Sequence, residues 1–290
     1  SAAGVPGYAR MDDERAHCLR LIAACLDGEL WQEVKALLWA ISKYLDRQGW
    51  WIEQLTALEM TLTAARQTED RMNEAWCLKG LGYTYHQRGK PNQALHYYEQ
   101  CLPIWRELRD RKEEGATLTS IGNAYRALFN YKQALECLEA SLIVLREVGN
   151  QLEIGATLVS IGLLYKEQGD HEIALQYYDE SLPILQEAGD KHGEGTTLNN
   201  IANIYYAQGD YVKAIKYQEQ SLAIRQELGD RAGEAQSCWN IGCTYEDMGD
   251  LAQAEEYIAL AVEIAEQIGH PSLEQYRDGL EQLRAKRQGA

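Results

Sequence analysis

The chain has 290 residues and a formal charge of −16, from 28 Lys+Arg against 44 Asp+Glu. That balance argues against a nucleic-acid binder, which needs clustered Lys and Arg facing outward, and 46% apolar with 25% charged residues argues against a disordered chain. No run approaches the roughly 18 apolar residues of a membrane helix, and Arg10, Asp12, Asp13 and Glu14 stand where a signal peptide would be apolar.

A cytoplasmic protein with reduced thiols is expected: Cys18, Cys25, Cys77, Cys101, Cys137, Cys238 and Cys243 form an odd set with no CxxC pair, so no metal site and no cofactor is anticipated. The first methionine is Met11, so the chain as given is expected to begin after processing or within something longer.

In chain order, residues 1–30 are read as a tail and a capping helix over 12–26, with Cys18, Leu21, Ile22 and Cys25 on one side. Residues 31–70 form a divergent helix pair crowded with Trp31, Trp39, Trp50 and Trp51. There Leu38, Ile41, Gly49 and Leu58 keep the places used by later units, but Ser42, Leu45 and Gln54 stand where those units carry glycine, tyrosine and alanine.

From residue 71 a period of forty sets in: Leu81-Gly82-Tyr83-Thr84-Tyr85, Ile121-Gly122-Asn123-Ala124-Tyr125, Ile161-Gly162-Leu163-Leu164-Tyr165, Ile201-Ala202-Asn203-Ile204-Tyr205 and Ile241-Gly242-Cys243-Thr244-Tyr245. Five units, 71–110, 111–150, 151–190, 191–230 and 231–270, keep register without an insertion. Nine residues after each final tyrosine comes Ala94, Ala134, Ala174, Ala214 or Ala254, with a turn such as Gly169-Asp170 between.

Within a unit, Leu158, Ile161, Gly162 and Tyr165 follow the i, i+3, i+4, i+7 spacing of one helix face, here termed helix A. Ala174, Tyr178, Leu182 and Leu185 make a second stripe on helix B, and glycine supplies the positive φ that ends helix A. A mid-helix glycine costs up to ~1 kcal/mol of helix propensity, which marks Gly82, Gly122, Gly162 and Gly242 as places of closest helix approach. Pro103 and Pro183 fall inside helix B and are expected to bend it. Residues 271–290 are read as a C-terminal capping helix, opening with Ser272 and Gln275 as a capping box and turning Leu273, Leu280 and Leu283 inward. Such pairs cannot bury their apolar faces alone and must stack.

The glycine-tyrosine core with its later alanine resembles the tetratricopeptide repeat family. The resemblance implies an all-α, right-handed superhelical solenoid of antiparallel helix pairs. The forty-residue length is similar to the kinesin light chain and spindle-adaptor branches. The segment from Ala36-Leu37-Leu38-Trp39 through Gly49-Trp50-Trp51 to Ala64-Ala65-Arg66 is similar to the opening of the repeat region in bacterial multidomain signal-transduction (STAND-type) ATPases. That likeness implies a sensor that binds an inducer or holds an ATPase inactive.

No enzyme is expected, since the sequence lacks GxxxxGK[ST], GxSxG and HExxH motifs and strand-helix alternation. The carboxylates read as a solvated surface. The helix A face turned away from helix B is expected to line a concave groove, with one ladder of Tyr83, Asn123, Leu163, Asn203 and Cys243 and another of Lys79, Thr119, Val159, Asn199 and Trp239. It is flanked by His86, Arg126, Lys166, Tyr206 and Glu246, and by Trp76, Ala116, Ala156, Thr196 and Gln236.

Aromatics, amides and cations on one face are the makeup of a peptide groove. Asn123, Asn199 and Asn203 can each donate to and accept from a ligand backbone. The family resemblance implies that role for Asn123, which follows Gly122, and for Asn203 after Ala202. Lys79, Arg126 and Lys166 favour acidic ligand groups, whereas Trp76, Tyr83, Val159, Leu163 and Trp239 offer apolar anchors. The carboxylate clamp of chaperone-binding relatives is not expected, because Lys79 pairs with Tyr83 and Thr119 with Asn123.

The expected function is therefore non-catalytic capture of a protein or peptide segment, without nucleic acid or membrane. The alternatives are an excised regulatory sensor and a scaffold that self-assembles through the Trp-rich first unit. Charge is uneven: residues 71–110 hold 6 basic and 4 acidic groups and residues 111–150 hold 5 of each, whereas 151–190 and 231–270 each hold 1 basic against 8 acidic.

Overall fold

The computed structural model describes residues 51–288 and the isolated positions 24, 25, 28, 30 and 33. The capping helix over 12–26 and the first half of the divergent unit, with Trp31, Trp39 and Trp50, therefore fall outside the described residues as elements. Twelve consecutive helices are present among the described residues: α1 (Trp51–Gln67), α2 (Arg71–Gln87), α3 (Pro91–Glu107), α4 (Arg111–Ala127), α5 (Tyr131–Val148), α6 (Gln151–Gln168), α7 (His171–Glu187), α8 (Lys191–Ala207), α9 (Tyr211–Glu227), α10 (Arg231–Met248), α11 (Leu251–Ile268) and α12 (Leu273–Gln288). Among them, no helix is long and apolar enough to cross a membrane.

The chain divides into two compact units, 1–150 and 151–290. In the first, α1 to α5 pack each on the next, and α2 also touches α4; in the second the same order runs from α6 to α12, and α6 touches α8. Each unit is thus a stack of antiparallel helix pairs, with A helices (α2 and α4; α6, α8 and α10) alternating with B helices.

The turns show how the sequence imposes this alternation. One or two residues beyond helix A the chain takes the left-handed conformation at Gly89, Gly169, Gly209 and Gly249, with φ between 67° and 87°. Phe129 adopts it without the glycine, at φ 59°. The aspartate that follows such a turn has a further use not read from the sequence. Asp210 and Asp250 accept the backbone N–H groups of Lys213 and Gln253, and at the B-to-A turns Asp110, Asp190 and Asp230 cap the next helix in the same way. One Gly-Asp pair thus ends a helix and starts another.

The core lies between A and B helices. A Cβ built on Gly82 or Gly162 would sit 2.5 Å from the ring of Tyr98 or Tyr178, and one on Gly242 would sit 2.5 Å from Ile258 Cγ1. These glycines are therefore contact points, as the propensity cost implied. The final tyrosine of helix A is only half buried: Tyr85, Tyr165, Tyr205 and Tyr245 stack on Tyr97, Tyr177, Tyr217 and Tyr257 of helix B, with centroids 5.4 to 5.7 Å apart. Helices α3 and α7 run through Pro103 and Pro183, both exposed. In α1 the divergent unit keeps Leu58 buried, and Gln54 is buried at the alanine place.

The expectation of solvated carboxylates needs correction at four positions. Glu74, Glu114, Glu194 and Glu234 are buried one turn into their A helices, where donors from the same and the preceding helix enclose them. Arg106 Nε and Arg111 Nη1 lie 2.8 and 2.5 Å from Glu114, and Arg66 Nε lies 3.0 Å from Glu74. Glutamine takes the preceding-helix place in the second unit: Gln226 donates to Glu234 at 3.1 Å and Gln186 to Glu194 at 2.8 Å. Glu194 is the weakest clamp, because Lys191 approaches only to 3.4 Å and Oε2 is buried without a hydrogen bond. Lys191→Arg restores the forked donor that Arg231 offers Glu234 and is expected to stabilise the second unit by about 1 kcal/mol, read as a higher urea midpoint at unchanged slope.

The C-terminal helix α12 buries Leu280 and Leu283 as anticipated, but its main anchor is Tyr276, 1% exposed. The capping box is not formed as expected: the Ser272 N–H, which Gln275 would have to satisfy, donates to His270 Nδ1 at 3.1 Å.

Candidate functional site

The helices place the ladder residues on the A-helix faces, but not all of them remain open. In the first unit Tyr83 is 45% exposed, while Asn123, Arg126 and His86 are half buried beside it on α2 and α4. Burial, and then the Arg126 charge, hold the His86 imidazole below its ordinary pKa. Trp76 is half buried against the cluster of Leu55, Leu58, Leu78 and Trp105.

Three of the expected groove residues are not open here. Thr119 is buried, with Oγ1 2.8 Å from Ser141 Oγ of α5, so it joins A to B instead of facing a ligand. Ala116 of the flank is buried too. Lys79 is committed to Glu113 of α4, with Nζ to Oε2 2.7 Å, because helix A of the next repeat presents a carboxylate within its reach.

In the second unit Val159, Leu163, Asn199 and Asn203 are half buried on α6 and α8. Lys166 Nζ lies 3.5 Å from Asn200 Oδ1, and Tyr206, 38% exposed, donates to Asp247 of α10. Trp239 is not an open anchor. Its ring stacks on Tyr276 with centroids 4.8 Å apart, and Gly279 of α12 lets the backbone lie against it.

A cavity of roughly 240 Å³ opens between α6, the end of α7 and the first turns of α8. Ala156, Val159, Leu185, Asp190, His192, Gly193 and Thr196 line it. It adjoins the ladder at Val159 and has room because the flank place held by Trp76 in the first repeat is Ala156 and Thr196 here. That narrowing of side chains was visible in the flank ladder. The contribution of Leu185 and His192 was not, since both come from turn-proximal positions outside the ladders.

A helical-hairpin stack that displays amides, aromatics and an apolar cavity on its A helices belongs to the class of repeat proteins. The tetratricopeptide repeat family model matches residues 36–107, 113–187 and 193–267, and the chain belongs to that family. No curated protein matches it.

Among solved structures, a Signal Transduction ATPase with Numerous Domains protein with a tetratricopeptide repeat sensor from Pyrococcus horikoshii is similar at a TM-score of 0.69 and 17% identity, over 94% of this chain and 44% of that one. BtubC (BKLC) from P. vanneervenii is similar at 0.67 and 23% identity, over 76% and 92%. A Rap protein complexed with Competence and Sporulation Factor is similar at 0.64 and 17% identity, over 86% and 74%. At these identities the likeness establishes the fold.

Proposed function

We propose that the protein is a non-catalytic interaction module that captures an extended protein or peptide segment on the A-helix face of its second unit. The observation that carries this reading is the cavity beside Val159, open next to the half-buried amides of Asn199 and Asn203. An apolar side chain of about Leu or Met size fits such a volume, and the asparagines pair with the ligand backbone on either side. Lys166 brings positive charge to the same face and favours a nearby acidic side chain. The similar Rap protein, seen complexed with a factor, supports an analogous use of the fold.

Peptides selected from a random library against the chain provide the test. Thr196→Trp, at an exposed position on the cavity rim, is expected to weaken the selected peptides at least about tenfold by filling the cavity. Equal affinity for the variant and the unaltered chain would sink the reading.

A second reading, a sensor segment of a larger signalling ATPase, draws support from the Pyrococcus protein, of which this chain spans 44%. It requires a nucleotide-binding domain encoded in the same reading frame, and a gene that begins at Met11 without one contradicts it.

A further inference from the structure

Two successive repeats of the second unit carry the same aromatic platform with opposite electrostatics. In α8 and α9, Tyr205 stacks on Tyr217 with centroids 5.6 Å apart. Lys213 Nζ stands 4.8 Å from the Tyr205 ring centroid and 2.8 Å from Asp210 Oδ2. A cation over a tyrosine face and beside a carboxylate is favourable on both counts.

Forty residues on, Tyr245, Tyr257 and Asp250 repeat the platform, with ring centroids 5.7 Å apart. Lys213, however, is replaced by Gln253 and Lys216 by Glu256. Gln253 Nε2 turns to Glu256 at 3.3 Å, and Glu219 of α9 lies 3.4 Å from the Tyr257 hydroxyl. The last repeat therefore has neither lysine but has the aromatic pair and the aspartate, and it carries an anion, Glu256, at the place of Lys216.

We propose that this platform, formed by Tyr245, Asp250, Glu256, Tyr257 and Glu219, is a docking site for a lysine or arginine side chain of a basic partner segment. The partner's cation takes the place that Lys213 holds one repeat earlier, over Tyr245 and against Asp250. Charge complementarity supports this occupant: residues 151–290 hold 10 basic and 24 acidic residues, a net −14 of the chain's −16. Burial first, then Glu219, Asp250 and Glu256, keep the Tyr245 hydroxyl above its ordinary pKa, which fits a site where negative charge gathers about a ring. The site lies on the tyrosine-pair side of the helices and is independent of the A-helix face discussed above.

The experiment uses the full chain and acetyl-hexalysine amide as probe, titrated by calorimetry at about 0.15 M salt, where exposed charges more than about 8 Å apart are largely screened. Gln253→Lys puts a lysine at the partly exposed place equivalent to Lys213 and is expected to fill the site from within. The expected result is at least about tenfold weaker hexalysine binding to this variant. Glu263→Gln, which changes the net charge equally at an exposed place elsewhere on α11, is expected to leave binding unchanged. Equal weakening by both substitutions, no weakening by Gln253→Lys, or no binding to the unaltered chain overturns the proposal.

Discussion

Gly242→Val is expected to destabilise the second unit by about 3 kcal/mol, at the upper end of overpacking costs. The new Cβ alone would stand 2.5 Å from Ile258 Cγ1 and 3.2 Å from two backbone atoms of α11, Ala254 O and Ile258 N. A flexible side chain can retreat, but those backbone atoms belong to a continuous helix, so relief requires parting α10 from α11. That movement uncovers Ile258, Ala261 and Ile264, each about 1% exposed or less. Thermal unfolding followed by circular dichroism checks it: a drop of several degrees is expected, and an unchanged midpoint would show that the helices do not approach as described. Ala202 gives the natural contrast, since the fourth repeat carries a Cβ there and has Gln218 where Tyr98 and Tyr178 stand in other repeats.

The second large effect is expected at the buried carboxylates. Glu114→Gln removes the charge that Arg106 and Arg111 enclose and should lose about 1–2 kcal/mol at neutral pH. The arginines remain 56% and 40% exposed, so water can take over their solvation, which keeps the loss below that of a fully buried pair.

The effect has a defined pH sign. Burial alone would raise the Glu114 pKa, but hydrogen bonds and charge from Arg106 and Arg111 outweigh it and hold the carboxyl below its ordinary value. A depressed folded-state pKa contributes stability that is complete above the unfolded value near pH 4.5 and fades as pH falls through the folded one. Urea unfolding should therefore separate Glu114→Gln from the unaltered protein at pH 7 and bring the two together at the lowest accessible pH. A constant gap across that range would mean that the substitution acts through packing.

The repeat made most of the fold legible. A forty-residue period, a glycine at φ above zero and a small residue at the helix crossing are local constraints that recur at fixed places, the glycine in four of the five helix A turns and Phe129 in the other. The buried glutamates were not legible, because a charged residue one turn into a helix looks like surface until the preceding helix brings Arg106 or Gln226 across it.

The ladder residues lie on the A helices, yet spacing along one helix says nothing about the next. Lys79 meets Glu113, Thr119 meets Ser141 and Trp239 meets Tyr276 through contacts between helices. Residues that neighbouring helices leave accessible, such as Tyr83, and those that border a cavity, such as Val159, were indistinguishable from these in sequence. Packing between repeats decides which ladder positions reach a ligand.

The most direct measurement places a photo-crosslinking amino acid at Thr196, on the cavity rim, and in a second protein at Gln220, exposed on α9. Each is irradiated with a peptide selected for binding to the unaltered chain. Capture at position 196, with position 220 silent, is the expected result. Efficient capture at 220 with none at 196 would contradict a ligand site on the A-helix face of the second unit.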